Sequence, residues 1–309
     1  MSSSSPAPGE SRESTPVSVH LGLLTVQLSF GGFHVVAKGV LTHLDPLALV
    51  GIRVACATPL LLLWAWIHDR KLPAWKDLPY LALLGLLGVF LNQVLYILGL
   101  ERTQATSAAV LMPSIPVFAV AVGALLGVEA ATRRRSLGVI LTVVGALVVL
   151  QPAHLLDRGS EAFGNTLILI NCLSYATFLV VQRPLLRRLP WRTVIAWAFL
   201  FGGTGVLGVS APSLAATPLD PLPVEAWLGV GYIILFPTVL SYSLATWAVK
   251  RSSPSLVAAY VTLQPIFAGA LGAIFLAEEI TWRLVAGFLL ILGGLALISR
   301  RRRSGQAQP

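Results

Sequence analysis

The feature that most constrains the fold of this chain is a stretch that occurs twice. Residues 102–145 and 251–294 align at a shift of 149 residues without a gap. The identical positions include small residues, a Pro, a Phe-Ala pair and a Glu, a Thr and an Arg in each copy. So many identities in one register indicate a duplicated unit, because shared apolar composition alone does not fix a register.

Each copy predicts two membrane helices, since an apolar segment of roughly 20 residues, a short charged turn and a second apolar segment follow one another. The first segment of each copy contains a proline, Pro116 or Pro265. A proline inside a helix frees a backbone carbonyl, which a neighbouring helix or a polar cavity must satisfy. We therefore expect a kink at both prolines and a polar cavity beside them.

The composition is that of an integral membrane protein. Of the 309 residues 56% are hydrophobic and 11% charged, which is far from the balance of a soluble domain. A net charge of +9 is compatible with nucleic-acid binding, but the basic residues lie between apolar runs and not on one face of a soluble fold. We therefore expect no nucleic-acid partner. Neither cysteine, Cys56 or Cys172, has the spacing of a metal or redox motif. We expect no cofactor and no metal.

The sequence predicts an all-α membrane protein with ten transmembrane helices. Residues 1–16 read as a disordered cytoplasmic tail, 17–151 as the first repeat, 152–162 as a linker, 163–299 as the second repeat and 300–309 as a basic cytoplasmic tail. The predicted spans are 17–41, 46–67, 78–100, 105–127, 136–151, 163–181, 194–212, 226–249, 256–277 and 285–299.

The distribution of basic residues predicts the orientation. Of the 22 Lys and Arg residues, 17 fall on the side of the two termini, four on the opposite side and one, Arg53, within a span. This asymmetry predicts that both termini are cytoplasmic, in a multi-pass protein of the plasma or cytoplasmic membrane. Five spans per unit is an odd number, so the second unit must be inverted relative to the first, an arrangement typical of secondary transporters.

Nearly the whole chain, residues 17–299, resembles a known family. The layout, the two copies of the Pro/Glu-Thr/Gly block and the runs GGFHVVAKGVL, LNQVLYILGLERTQATSAAVLMPSIPVF and LQPIFAGALGAIFLAEEITWRLVAGFLLILGG resemble the EamA-like branch of the drug/metabolite transporter superfamily. The first half is also similar to plant nodulin-21-type members. The resemblance implies a transporter, often an exporter of amino acids or other small metabolites. It also implies that spans 1–4 and 6–9 surround a central cavity and that spans 5 and 10 are peripheral.

Polar side chains at helical spacing identify the candidate cavity lining, because polar groups avoid lipid and face the protein interior. Several spans carry such a face. The polar faces of the two repeats do not correspond, as expected for a cavity that binds an asymmetric solute. Hydrogen bonding between helices accounts for these faces as well as solute contact does. The candidate solute-binding residues are Gln27, His34, Asn92, Tyr96, Met112, Asn171, Tyr175, Tyr242, Tyr260 and Gln264.

Three further features have mainly structural interpretations. For Arg53 we expect an ion pair with Asp45 or Glu101, while a carboxylate-bearing solute is the open alternative. Glu129 and its repeat partner Glu278 precede a Thr, and we expect both to stabilise the turn before the next helix. The GxxxG spacing of residues 123–127 predicts a close helix contact.

The sequence thus favours a secondary transporter that moves a small organic solute by alternating access. Its partners are the solute and the lipid bilayer, and its oligomeric state stays open. We expect no catalytic residue, since the 13 acidic residues fall in tails, turns or span ends. The alternatives are a membrane-embedded lipid-modifying enzyme and a passive solute channel.

Overall fold

The computed structural model describes residues 15–70, 72–102, 111–150, 162–217, 222–267, 270 and 282–299, and within these ranges every regular element is a helix. The side chains of residues 34, 35, 38, 149, 150 and 284 are outside the described part. The helices are α1 Val17–Val40, α2 Pro46–Asp69, α3 Trp75–Leu100, α4 Ser114–Leu125, α5 Arg133–Leu150, α6 Ala162–Leu186, α7 Trp191–Ala216, α8 Val224–Arg251, α9 Pro254–Phe267 and α10 Trp282–Ser299.

Five of these helices, α2, α3, α6, α7 and α8, are long and apolar enough to cross a membrane. The shorter apolar helices are Val17–Phe33, Ser114–Leu125, Pro254–Phe267 and Val285–Ser299. Where the structure describes both ends of a predicted span, the bounds agree to within about five residues. Ten complete spans stay a prediction, because parts of the predicted fourth and ninth spans lie outside the described ranges.

The distribution of side chains is that of a protein surrounded by lipid. Large apolar side chains such as Leu63 and Leu289 are more than half exposed, whereas Gln182 and Thr246 are completely buried. Lipid cannot hydrogen-bond to polar groups, so apolar side chains face outward and polar ones face the interior.

Local sequence signals set several helix starts. Asp45 Oδ1 accepts hydrogen bonds from the backbone nitrogens of Leu47 and Ala48 at 2.9 and 3.2 Å, and Pro46 occupies the first helical position of α2. Ser253 Oγ accepts from the backbone nitrogen of Leu256 in the same way at the start of α9. Each cap satisfies amide groups that have no partner inside the helix.

Two helices contain a π-helical turn, and the two turns occupy equivalent positions of the repeat. The turns are Leu86–Leu91 in α3 and Ile234–Leu240 in α8, which overlap at the 149-residue shift. Pro237 lies inside the second turn and lacks the amide hydrogen that a regular helix needs there. Isolated π turns are often found at functional sites, so these two positions direct attention to the middle of α3 and α8.

The packing of α5 against α10 shows that these equivalent helices run antiparallel. A Cβ atom at Gly138 would come within 2.8 Å of the Gly294 carbonyl oxygen, and one at Gly145 would come equally close to that of Gly287. Gly138 is the repeat partner of Gly287, and Gly145 that of Gly294. The contacts are therefore reciprocal, as the inversion predicted from the odd number of spans requires.

The prediction of a close helix contact at residues 123–127 is wrong for Gly127. This glycine lies beyond the end of α4 at a φ of +63°, and no atom of the described residues lies within 4 Å of the place where its Cβ would be. It ends the helix in the left-handed conformation that glycine adopts without strain. The backbone nitrogen of Glu129 then donates to the Gly123 carbonyl at 3.0 Å, which turns Glu129 back towards the bundle.

Candidate functional site

Four of the candidate residues meet inside the bundle, where α3, α6 and α8 contact one another. The Tyr242 hydroxyl donates a hydrogen bond to Asn92 Oδ1 at 2.8 Å, and Asn171 Nδ2 donates to the Asn92 backbone oxygen. The Tyr175 ring packs edge-on against the Tyr242 ring at a centroid distance of 6.5 Å. We call Asn92, Asn171, Tyr175 and Tyr242 the central cluster.

Aromatic rings form one wall of this cluster. Tyr175 stacks on Phe178 at 6.1 Å, and Phe199 packs edge-on against Tyr242 at 5.1 Å. Phe178 fills the space that a side chain at Gly88 would occupy in the π turn of α3. The cluster therefore combines amide and hydroxyl groups with apolar ring surface, which is the usual lining of a small-molecule site.

The π turns bring the polar members of the cluster together. Asn92 directly follows the π turn of α3, and Tyr242 is the second residue after the π turn of α8. One extra residue in a turn rotates the following side chains by about 100° around the helix axis. The same local distortion in both repeats thus directs Asn92 and Tyr242 towards each other.

Several buried polar atoms have no hydrogen-bond partner among the described residues. A buried polar atom without a partner costs about 1–3 kcal/mol, so each needs a physical explanation. These atoms are Gln27 Oε1, Ser114 Oγ, Ser243 Oγ, Thr246 Oγ1, Arg192 Nε and both side-chain polar atoms of Gln93 and Gln182.

A second polar contact joins α1 and α9. His20 Nδ1 and the Tyr260 hydroxyl lie 2.6 Å apart. Tyr260 is a candidate residue, whereas our sequence analysis did not select His20. His20 lies seven residues before Gln27 and therefore on the same face of α1, so helical spacing could have identified it. This contact accounts for Tyr260 as a bond between helices.

The other candidates lie outside these contacts. Tyr96 and Met112 are half-buried against the hydrophobic core. Gln264 is half-buried, and Gln27 is 1% exposed without contacting the central cluster in any described hydrogen bond. His34 belongs to α1, but its side chain is outside the described residues, as is Glu278.

The prediction of an ion pair for Arg53 is wrong. Asp45 caps the start of α2, and Glu101 lies 3.4 Å from Arg102 at the surface. Arg53 instead donates from Nε to the Thr238 hydroxyl in the π turn of α8. Spacing along the sequence placed the three charges near one end of the bundle, but the direction of each side chain determined the partner.

Ion pairs link different helices at one end of the bundle, which we call the basic end. Glu129, whose side chain is 2% exposed, lies 3.0 Å from Arg183 Nη1 and 3.7 Å from Arg135 Nη1. Its Oε2 also accepts hydrogen bonds from the backbone nitrogen of Ser255, at 3.2 Å, and from the Ser255 hydroxyl. The carboxylate thus connects α5, α6 and the start of α9, which exceeds the turn-stabilising role that we expected for it. Thr132 accepts from the Arg135 backbone nitrogen at 3.3 Å and caps α5 as predicted.

Two further contacts of this kind lie at the basic end. Arg188 pairs with Asp77 at 3.1 Å, which joins α3 to the segment after α6. Asp69 at the end of α2 pairs with Arg192 at 3.3 Å, in α7. Each of these contacts must break before the helices can separate at this end.

A pocket of about 200 Å³ opens at the basic end between α6 and α8. Arg183, Leu186, Arg187 and Lys250 line it. Because Arg183 is paired with Glu129, the charge that favours the approach of an anion here comes from Arg187 and Lys250. Within the described ranges no three His, Cys, Asp or Glu side chains gather as metal ligands would.

Comparison with known proteins identifies one family over both halves of the chain. The profile of the EamA-like transporter family matches residues 17–151 and again residues 162–300. A solved crystal structure superposes on 91% of this chain and 97% of its own, with a TM-score of 0.74 at 17% sequence identity. At that identity the likeness concerns the fold alone.

Similar sequences occur in archaea, plants and bacteria. An uncharacterized transporter of Archaeoglobus fulgidus is 27% identical over 92% of this chain and 98% of its own. Protein WALLS ARE THIN 1 of Arabidopsis thaliana is 26% identical over 91% of this chain and 82% of its own. The uncharacterized inner membrane transporter YedA of Escherichia coli K12 is 27% identical over 81% of this chain and 80% of its own.

Proposed function

Because the chain belongs to the EamA-like transporter family, we propose that it is a secondary transporter or exporter of small organic metabolites, with amino acids or related solutes as the substrate class. The proposed form is a ten-helix bundle in the cell membrane with both termini cytoplasmic. The solute passes through the centre of the bundle by alternating access between the two repeats.

The observation that carries this proposal is the central cluster. Asn92, Asn171 and Tyr242 come from three helices of both repeats and meet beside aromatic rings. Buried amides without a partner, at Gln93 and Gln182, lie on two of the same helices. A polar solute with an apolar part would satisfy such groups and pack against the rings.

The ion pairs at the basic end support alternating access. In the described conformation Glu129 and Asp69 each hold two or more helices together there, and Asp77 holds α3 to the segment after α6. Opening towards the basic end requires these pairs to separate while contacts at the opposite end form. Equivalent π turns in α3 and α8 give both repeats a place where the helix can bend.

The proposal is tested by comparing the metabolites inside and outside cells that express the protein, an empty vector or the double variant Asn92→Ala/Tyr242→Phe. We expect one class of small organic solutes to change its distribution with the wild-type protein only. A Ser299→Ala variant is the control, because Ser299 lies at the end of α10 and bonds only to its own helix.

A distribution of metabolites identical in wild-type and empty-vector cells would contradict transport of an endogenous solute. A change that persists in the Asn92→Ala/Tyr242→Phe variant, at equal amounts of folded protein, would remove the central cluster from the path.

A further inference from the structure

Arg53 is a buried cation whose described partners are all neutral. The residue is 7% exposed and lies in α2. Its Nε donates to the Thr238 hydroxyl and its Nη2 to the Pro237 carbonyl oxygen at 3.5 Å. The guanidinium carbon lies 5.3 Å from the centre of the Phe33 ring. No described carboxylate pairs with Arg53.

The position of Arg53 connects it with the candidate site. It lies seven residues after Pro46, about 10 Å along α2, so the side chain is well inside the membrane span. Its partners Thr238 and Pro237 belong to the π turn of α8, just before Tyr242. Arg53 therefore lies beside the central cluster and not at the surface of the bundle.

The energetics of such a cation favour an anionic partner. A charged side chain inside a membrane is costly, and an unpaired buried charge is among the most destabilising groups in a protein. A guanidinium has five N–H donors in a planar fork, which matches the two oxygens of a carboxylate. Nη1 of Arg53 makes no hydrogen bond to any described residue.

The basic pocket provides an independent observation that favours an anion. Two of its cations, Arg187 and Lys250, lie next to α6 and on α8, the helices that carry Tyr175 and Tyr242. The local field attracts anions towards this mouth of the proposed path.

We infer that Arg53 binds the carboxylate of the transported solute, while the neighbouring aromatic rings contact its apolar part. This inference rests on the proposed transport function and names the solute class, a small organic carboxylate. Thr238 and the Pro237 carbonyl position the guanidinium, so that the π turn of α8 orients the fork towards the solute.

The test uses the metabolite comparison with three further strains, which express Arg53→Gln, Arg53→Lys and Arg102→Gln. Arg102 is the control, because it forms an exposed ion pair with its neighbour Glu101. We expect every solute that the wild-type protein moves to carry a carboxylate. The change in the distribution of these solutes should persist with Arg102→Gln and should be at least tenfold smaller with Arg53→Gln.

Binding to the purified protein then separates recognition from folding. The solute with the largest change and its primary amide are compared by their effect on the melting temperature. Wild-type protein should be stabilised by the acid at a concentration at least tenfold lower than by the amide. Arg53→Lys keeps the charge but not the fork, so it should bind the acid more weakly and still prefer it to the amide. This variant keeps the test decisive even if Arg53→Gln does not fold.

The outcomes distinguish this inference from the function on which it rests. Solutes that move but carry no anionic group would overturn the role of Arg53 and leave transport intact. An equal response to acid and amide in wild-type and Arg53→Lys protein would also overturn it. If no metabolite changes at all, the transport function itself fails, and the inference fails with it.

Discussion

Replacement of Glu129 by Gln tests whether the basic end closes the path. The substitution removes the charge that faces Arg183 at 3.0 Å and Arg135 at 3.7 Å, while the shape of the side chain is kept. It also replaces an anionic acceptor for the Ser255 amide and hydroxyl by a neutral one. These contacts join helices that must separate when the basic end opens, so their loss acts mainly on the closed state.

The size of the effect follows from the burial of the carboxylate. A hydrogen bond to a charged group contributes about 1.5–3 kcal/mol, and Glu129 is 2% exposed whereas Arg183 is 24% exposed. We therefore take about 2 kcal/mol as the stabilisation that the closed state loses in Glu129→Gln. Since about 1.4 kcal/mol corresponds to a factor of ten, the population open at the basic end should rise about 30-fold.

A single cysteine at Thr246 reports this opening. Thr246 is completely buried in α8, near the basic end, and its hydroxyl has no described partner, so a cysteine fits there. In a background without other cysteines, a membrane-impermeant maleimide applied to inside-out vesicles should label it about 10- to 30-fold faster with Glu129→Gln. The matched control is Glu101→Gln at the opposite end, where the exposed pair with Arg102 contributes at most about 1 kcal/mol. Equal labelling rates in Glu129→Gln and the parent would refute the closing role of Glu129.

Three further predictions concern packing, the central cluster and topology. Gly145→Leu should separate α5 from α10 and lower the stability measured by thermal melting by about 1–3 kcal/mol. Gly208→Leu should change stability little, because a Cβ there meets no described atom within 4 Å. Equal losses of stability in the two variants would contradict the glycine contact. Tyr242→Phe leaves Asn92 Oδ1 without its donor and should lower stability by about 1 kcal/mol, a loss that disappears in an Asn92→Ala background if the two groups interact only with each other. A single cysteine at Ser14 should be shielded from an impermeant reagent in intact cells while one at Ala216 is labelled, and the reverse pattern would invert the topology.

The duplicated stretch made most of the fold predictable. Gly138 and Gly145 are among the small residues that recur in both copies, and in the structure each packs against the repeat partner of the other on α10. Helix bounds were predictable for a simple reason, since an apolar run long enough to cross a membrane ends where charge and proline begin. Thr132 was likewise predictable as a cap from its position before a helix.

The contacts of the site were harder to predict. Asn92 and Tyr242 were identified as polar residues on apolar helices, but their direct bond depends on two π turns that shift the helical register. Regular helical spacing contains no signal for the turn in α3, although Pro237 gave one in α8. Because each residue has a partner within the protein, Leu at either position should lower stability as well as transport.

The partners of charged residues were hard to predict for the same reason. Arg53 and Asp45 lie close in the sequence and on the same side of the membrane, yet Asp45 uses its carboxylate to cap its own helix. Glu129 reaches Arg183 and Ser255, which are 54 and 126 residues away, through a turn that Gly127 makes possible. Such long-range partners depend on side-chain directions that a single sequence does not specify.

Counterflow in reconstituted vesicles tests the central claim most directly. Purified protein is reconstituted with the metabolite that cells redistribute, the vesicles are loaded with that metabolite unlabelled, and a trace of labelled metabolite is added outside. A transporter that exposes one site alternately to the two sides should accumulate the label transiently above its external concentration, and Asn92→Ala/Tyr242→Phe should abolish the overshoot. Label that only equilibrates, at a rate unchanged by the unlabelled load, would contradict alternating access and favour a passive pore.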